Sequence, residues 1–173
     1  MSVPASEAPQ TPGVPRRLAS MLYESMLLFA VAFLAGAVFL LANGGEPATG
    51  WVRHLEQAYF AAVFGAYFLY CWLRGGQTLA MRAWRIRLVA PGCARVPVRR
   101  ALLRLAYAAV LLGAFLAAII AAFVHRNPWL AFASLALTGV GLGWVLVDRD
   151  RQFLHDRLAG TRLVLVPRPV TRG

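Results

Sequence analysis

Several residue types are scarce in this chain, and each scarcity argues against a class of protein. There are only two cysteines and three histidines, and their spacing contains no CxxC pair and no zinc-ligand pattern. The sequence also lacks a glycine-rich phosphate loop and a catalytic serine motif. We therefore expect no bound metal, no cofactor and no enzymatic activity. Cys71 and Cys93 are interpreted as ordinary small residues in a reducing compartment.

Acidic residues are also scarce, with 7 against 18 basic residues, and every basic residue is an arginine. A net charge of +11 can indicate nucleic-acid binding, but these arginines alternate in density along the chain. Arg53 and Arg126 stand alone in the first and third loops, whereas the second loop and both flanks are arginine-rich. This is the positive-inside pattern of a multi-pass protein in a bacterial inner membrane, with both termini in the cytoplasm. It predicts anionic lipids as partners at the cytoplasmic face, and no nucleic acid.

Four long apolar stretches account for the 60 % apolar content and the mean hydropathy of +0.61. They run from about 18–42, 55–73, 101–124 and 129–147, close to the ~20 residues that cross a bilayer core. They predict an all-α membrane protein with four transmembrane helices. The first stretch resembles a signal peptide, but it is too long for one and contains Glu24, so we expect it to be retained. Residues 1–15 are predicted to be a disordered cytoplasmic tail, and residues 167–173 a C-terminal tail.

Two polar stretches resemble each other. When Gln77 is aligned with Gln152, QTLAMRAWRIRLV and QFLHDRLAGTRLV share six of thirteen residues. Each predicts a short basic helix and a strand, over 77–90 and 152–166, and the two strands could pair into a small ribbon on the cytoplasmic side. Two similar halves, each with two spans, would be related by an axis along the membrane normal. In the fourth apolar stretch, Gly139 and Gly143 form a small-xxx-small face for helix packing.

Glu24 is the only acid deep within an apolar stretch. Arg17 and Ser20 precede it by seven and four residues, so the three side chains share one stripe of a helix. An ionised carboxylate at the bilayer centre costs on the order of 3 kcal/mol, which favours an inward-facing position. Besides simple snorkelling of the side chain toward water, two interpretations stay open. Glu24 forms a structural ion pair with Arg104 of the third stretch, or it is a protonatable group that binds a proton, a cation or a solute.

Together these features resemble the RDD family of small bacterial membrane proteins. The resemblance rests on HDRLAGT at 155–161, GGQTLAMRAWRIRLV at 75–89 and the arginine-led first segment. The family is named for one arginine and two aspartates. The resemblance implies that Arg17 is the arginine, that Glu24 takes the place of the first aspartate, and that Asp156 is the second. It also implies a cytoplasmic motif made of the neighbouring residues His155, Arg157, Gly160 and Thr161.

The family is described as transporting unidentified ligands, and some members are linked to sodium–proton exchange. We therefore expect an inner-membrane transporter of cations or small solutes, with Glu24 as its protonatable site. Arg17 and Arg104 would tune that site, and Asp156 would anchor a cytoplasmic gate. Because four helices make thin walls for a pathway, we expect a homo-oligomer. The alternative is a non-transporting scaffold or assembly factor whose arginine-rich face binds lipid or a protein partner.

Overall fold

The computed structural model describes residues 10–124, 129–130, 132–133, 135–136, 139, 143–144 and 152–167. Helices dominate these residues, and two short strands form the sheet. The elements in chain order are α1 (Val14–Ala42), α2 (Val52–Gly75), α3 (Leu79–Ala83), β1 (Ile86–Val89), α4 (Val98–Val124), α5 (Leu154–Leu158) and β2 (Arg162–Leu165). The described residues between 129 and 144 are also helical.

Two of the long helices have the length and composition of membrane spans. They are α1 and α4, and only 6 % of each span is buried within the chain, unlike the core helix of a soluble protein. The helix α2 is 24 residues long, but its first turns carry Arg53 and Glu56. The fourth predicted span lies largely outside the described residues, including most of the segment around Gly139 and Gly143. Four transmembrane helices, and packing through these glycines, therefore stay predictions.

The first helix begins at Val14, four residues before the predicted start of the apolar segment. A proline in its first turn suits this position, because proline has no N–H to leave unpaired there. Gln10 and Pro12 fall within the predicted disordered tail, yet both contact the fold. The Gln10 carbonyl accepts a hydrogen bond from Leu165 N at 2.8 Å, and Pro12 is fully buried. The tail prediction is therefore wrong for residues 10–15, while residues 1–9 and 168–173 lie outside the described part of the chain.

The two predicted helix–strand units are present, and their strands pair. The ribbon formed by β1 and β2 is antiparallel, with Leu88 opposite Leu163 and Arg87 opposite Val164. Leu88 and Leu163 are also the residues that the sequence repeat aligns with each other, so a local two-fold axis passes between them. In both halves the long first helix packs on the short helix of the same half, α1 on α3 and α4 on α5. These contacts agree with the predicted two-fold arrangement of the halves.

Backbone geometry explains the second glycine of the GGQTL motif. Gly76 ends α2 in the left-handed conformation, at φ +66°, and its carbonyl accepts a hydrogen bond from Leu88 N at 2.7 Å. A Cβ atom there would lie 2.6 Å from the Leu88 carbonyl oxygen. Gly76 therefore lets the end of α2 approach β1 closely, which no larger residue permits without movement.

Both short helices are followed by a left-handed residue at equivalent positions of the repeat. In the second half this residue is Gly160, at φ 63°, and in the first half it is Arg85, at φ 55°. Glycine adopts this conformation freely, whereas a residue with a Cβ pays roughly 1–2 kcal/mol. The first half therefore carries backbone strain that the second half avoids.

A small apolar core joins the two halves, and it includes residues from the end of α2 and the start of α4. Its buried members are Trp72, Met81, Ile86, Leu88, Val96, Ala101 and Leu163. The alternation of buried and exposed residues along β1 places Ile86 and Leu88 in this core, while Arg87 points outward. We call this part of the molecule, with α3, α5 and the ribbon, the ribbon end.

Candidate functional site

The first polar cluster at the ribbon end is built around Asp156. This residue lies on α5, is fully buried, and forms an ion pair with Arg104 of α4. The Arg104 guanidinium also donates a hydrogen bond to Thr161 Oγ1 at 3.4 Å and lies 5.0 Å from the centre of the Trp72 ring. A buried charge needs a partner, and here the carboxylate and the guanidinium supply one another. The pair links a membrane-like helix to the ribbon end.

The HDRLAGT motif builds the turn that holds Asp156 in place. The backbone carbonyl of Asp156 accepts two hydrogen bonds from Thr161, one from its N–H at 3.0 Å and one from its hydroxyl at 3.3 Å. Gly160 supplies the left-handed backbone of this turn, and its carbonyl accepts a hydrogen bond from Arg100 at 3.3 Å. Arg157 lies on the exposed side of α5. The conformation of the turn thus accounts for Gly160 and Thr161.

His155 stacks on Phe153, with ring centres 5.8 Å apart and planes 8° apart. Its Nε2 lies 3.6 Å from Asp156 Oδ1. Burial lowers the pKa of His155 to about 3, and the nearby positive charge of Arg104 acts in the same direction. The negative charge of Asp156 would oppose this shift, but it is already balanced by Arg104. At neutral pH His155 is therefore an uncharged member of the cluster.

Arg17 reaches the same cluster from the start of α1. It is 1 % exposed, its Nε donates a hydrogen bond to the Pro12 carbonyl at 2.9 Å, and its guanidinium lies 5.6 Å from the centre of the Phe153 ring. Ser20, one turn further along α1, is also buried. Arg17 thus contacts the residue that precedes α5, and it tethers the first helix to the second half of the chain.

The second polar cluster surrounds Glu24 on α1. The hydroxyl of Tyr67, from α2, donates a hydrogen bond to Glu24 Oε1 at 2.6 Å. The hydroxyl of Thr78 donates a hydrogen bond to Glu24 Oε2. Thr78 is also the N-cap of α3, where its Oγ1 accepts a hydrogen bond from Met81 N at 3.2 Å. The half-buried carboxylate of Glu24 therefore joins three elements through two neutral hydroxyl groups.

This geometry corrects one of the interpretations left open for Glu24, the ion pair with Arg104. Arg104 pairs with Asp156 instead, because α4 packs against α5, whereas α1 packs mainly against α3 and α2. Within the described part of the chain, no arginine or histidine forms an ion pair with Glu24. The expected roles of Arg17 and Arg104 as tuners of Glu24, and of Asp156 in a gate, stay predictions.

Two members of the Glu24 cluster, Tyr67 and Thr78, were missed by sequence reasoning. Thr78 carries a usable signal, because threonine directly before a short helix is a favoured N-cap. Tyr67 carries none, since an aromatic residue in an apolar helix usually packs in a core. The cluster brings together one carboxylate and two hydroxyl oxygens, which are hard ligands suited to a proton or a small hard cation.

Comparison with known proteins identifies the family of the chain. The family model described as the RDD family matches residues 11–160. No curated protein and no solved structure matches the chain. The matched range contains Arg17, Glu24 and Asp156, the three positions that the resemblance assigned to the family's defining residues, and the chain belongs to the RDD family.

Proposed function

We propose that this protein transports protons or small cations across a membrane, with Glu24 as the exchangeable site. The observation that carries this proposal is the environment of the Glu24 carboxylate. It lies about three turns into a membrane-like helix, and it is bound by the hydroxyls of Tyr67 and Thr78 with no ion pair to a basic residue in the described chain.

Hydroxyl groups suit a site whose occupant changes. A hydroxyl donates to an ionised carboxylate, and it can instead turn an oxygen lone pair toward a cation. A proton and a metal cation would therefore compete for the same carboxylate. An arginine partner would stabilise the ionised carboxylate, and its positive charge would weaken the binding of both the proton and the cation. Since Arg104 is engaged by Asp156, Glu24 is left with partners that allow exchange.

The Asp156 cluster supports a mechanical role in this proposal. Arg104 and Thr161 fix α5 against α4. Thr78 binds Glu24 and is also the N-cap of α3, so it links the Glu24 site to the start of that helix. A change at Glu24 would alter the hydrogen bond of Thr78 and hence the cap of α3. We propose that Asp156 anchors this end of the molecule while the Glu24 side opens. Bacterial inner-membrane location, cytoplasmic termini and a homo-oligomer belong to the same proposal, on the arginine distribution and the thin helical wall.

Flux measurements in proteoliposomes test the proposal. Purified protein is reconstituted, a sodium or proton gradient is imposed, and internal pH is followed with a trapped dye. We expect wild-type flux above that of empty liposomes, loss of flux for Glu24→Gln, and flux close to wild type for Glu56→Gln. Glu56 is the matched control because it is also a half-buried acid, on α2 but near its start.

Two outcomes would contradict the proposal in different ways. Equal flux from wild type and Glu24→Gln would remove Glu24 from the pathway. Wild-type flux no greater than that of empty liposomes, under both gradients, would remove proton transport and sodium–proton exchange.

A scaffold or assembly factor is the second candidate, and the exposed arginines of the ribbon end favour it. Arg82, Arg85 and Arg87 are all exposed there. In that case Glu24 would serve stability alone. Glu24→Gln would lower the unfolding temperature, Thr78→Val would lower it similarly, and wild-type liposomes would show no flux. A Glu24→Gln variant of unchanged stability would count against the scaffold.

A further inference from the structure

An open cleft of about 240 Å³ lies at the ribbon end, on the side of the first half. Its lining residues are Gln77, Arg82, Arg85, Val166 and Pro167. Both walls are held by backbone contacts. The Gln77 side-chain amide donates a hydrogen bond to the Ile86 carbonyl at 2.8 Å, and Val166 N donates one to the Arg85 carbonyl at 2.9 Å. The cleft is therefore part of the folded ribbon rather than a gap between loose side chains.

The charge of the cleft is positive and unbalanced. Arg82 and Arg85 are both exposed, and neither forms an ion pair with a carboxylate in the described residues. Arg82 and Arg85 are three positions apart across the end of α3, so their side chains emerge from the same region. Two guanidinium groups at one cleft are suited to an anion that accepts several hydrogen bonds.

The backbone at Arg85 supports a role for its side chain. The equivalent position of the second half is Gly160, and both residues have a left-handed backbone. Glycine is the residue that this conformation favours, so arginine at position 85 lowers the stability of the fold relative to glycine. Strain that is retained at a cleft is a feature of binding sites.

The surroundings of the cleft indicate the source of the anion. Arg82 lies on α3, which follows closely after the end of α2 at Gly75. The outer side of this unit also carries two exposed apolar residues, Leu79 and Trp84, beside its arginines. Tryptophan and arginine together at the end of a long apolar helix are typical of the membrane interface.

We propose that this cleft binds the phosphate group of an anionic phospholipid, with Arg82 and Arg85 as its hydrogen-bond donors. The planar guanidinium can donate two parallel hydrogen bonds to the oxygens of one phosphate group, whereas the lysine ammonium acts as a point charge. The cleft is smaller than the roughly 300–1,000 Å³ of sites for drug-sized ligands, so it suits a head group whose acyl chains lie elsewhere. The arginine distribution predicted anionic lipids in general, whereas the cleft provides a defined site. It is independent of transport through Glu24.

Native mass spectrometry of the full chain in detergent tests this site. The protein is titrated with phosphatidylglycerol and, separately, with phosphatidylcholine of the same acyl chains. We expect wild type to bind phosphatidylglycerol more tightly. The double substitution Arg82→Gln with Arg85→Gln should weaken that binding about 30-fold, which corresponds to ~1 kcal/mol for each arginine. The matched control is Arg95→Gln with Arg99→Gln, which removes two exposed arginines outside the cleft.

A third variant separates binding from folding. Arg85→Gly relieves the left-handed strain, so its unfolding temperature should equal or exceed that of wild type while its affinity for phosphatidylglycerol falls. Equal weakening by the cleft pair and the control pair would overturn the proposal, as would equal binding of the two lipids or unchanged binding by Arg85→Gly.

Inorganic phosphate distinguishes a lipid from a free anion. Millimolar phosphate should leave phosphatidylglycerol bound, because the acyl chains hold the lipid in the micelle. Displacement of the lipid by phosphate at that concentration would show a site for a free phosphate group and overturn the lipid assignment.

Discussion

Replacing Asp156 by asparagine should destabilise the protein by about 3 kcal/mol. Loss of one partner from a buried ion pair costs roughly 3–5 kcal/mol, because the remaining charge stays buried without a counter-charge. Arg104 would keep its hydrogen bond to Thr161 and its position over the Trp72 ring. A cation–π contact of this kind contributes roughly 0.5–2 kcal/mol, which places the expected loss at the lower end of the range.

Unfolding in mixed micelles measures this loss as a change in the free energy of unfolding. Glu46→Gln is the control, because it makes the same acid-to-amide change at an exposed loop residue and should leave stability within about 0.5 kcal/mol of wild type. A double variant that removes both charges, Arg104→Met with Asp156→Leu, should recover most of the stability lost in Asp156→Asn.

An Asp156→Asn variant that unfolded within about 1 kcal/mol of wild type would contradict this prediction, since the buried ion pair would then add nothing beyond a neutral hydrogen bond. A double variant less stable than Asp156→Asn would contradict it as well. That result would mean that the pair stabilises the fold through the packing of its side chains and not through charge neutralisation.

Two further predictions use the same unfolding assay. The pKa of His155 is lowered by burial to about 3 in the folded protein. Between this pH and ~6.5 the unfolded chain therefore binds a proton at His155 and the folded chain does not. The stability this gives is fully present above pH ~6.5 and is lost as the pH falls toward 3, and His155→Gln should flatten that part of the profile; an unchanged slope would contradict the burial of His155. Gly76→Ala should cost about 2 kcal/mol or more, because of its positive φ and the 2.6 Å approach to the Leu88 carbonyl. Its neighbour Gly75, where a Cβ meets nothing closer than 3.6 Å, should accept alanine without loss.

The helices and the ribbon could be predicted from the sequence because their signals are local. Apolar length fixed the three long described helices to within a few residues, and the repeat predicted two helix–strand units that do pair. The early start of α1 was missed because Gln10 and Arg17 are held by contacts with Leu165 and Phe153, which lie far away in the sequence and cannot be seen in a local stretch of it.

The partners of the two key acids could not be predicted for the same reason. Glu24 bonds to residues 43 and 54 positions away, and both donors are neutral, so charge matching had no means of finding them. Asp156 had many arginines as potential partners. Arg104 is the one that the packing of α4 on α5 brings to it, and its burial makes that pairing necessary.

The ribbon in which Leu88 faces Leu163 has an evolutionary consequence. Equivalent residues face each other across a two-fold axis, as they would between two identical chains. A chain of half this length, with two long helices and one helix–strand unit, would close the same ribbon as a symmetric dimer. Fusion of two such copies frees each half to diverge. In this protein the first half holds Thr78 and Arg85 where the second holds Phe153 and Gly160, so among the described residues the threonine that binds Glu24 has no counterpart in the second half, whereas a symmetric dimer would carry it twice.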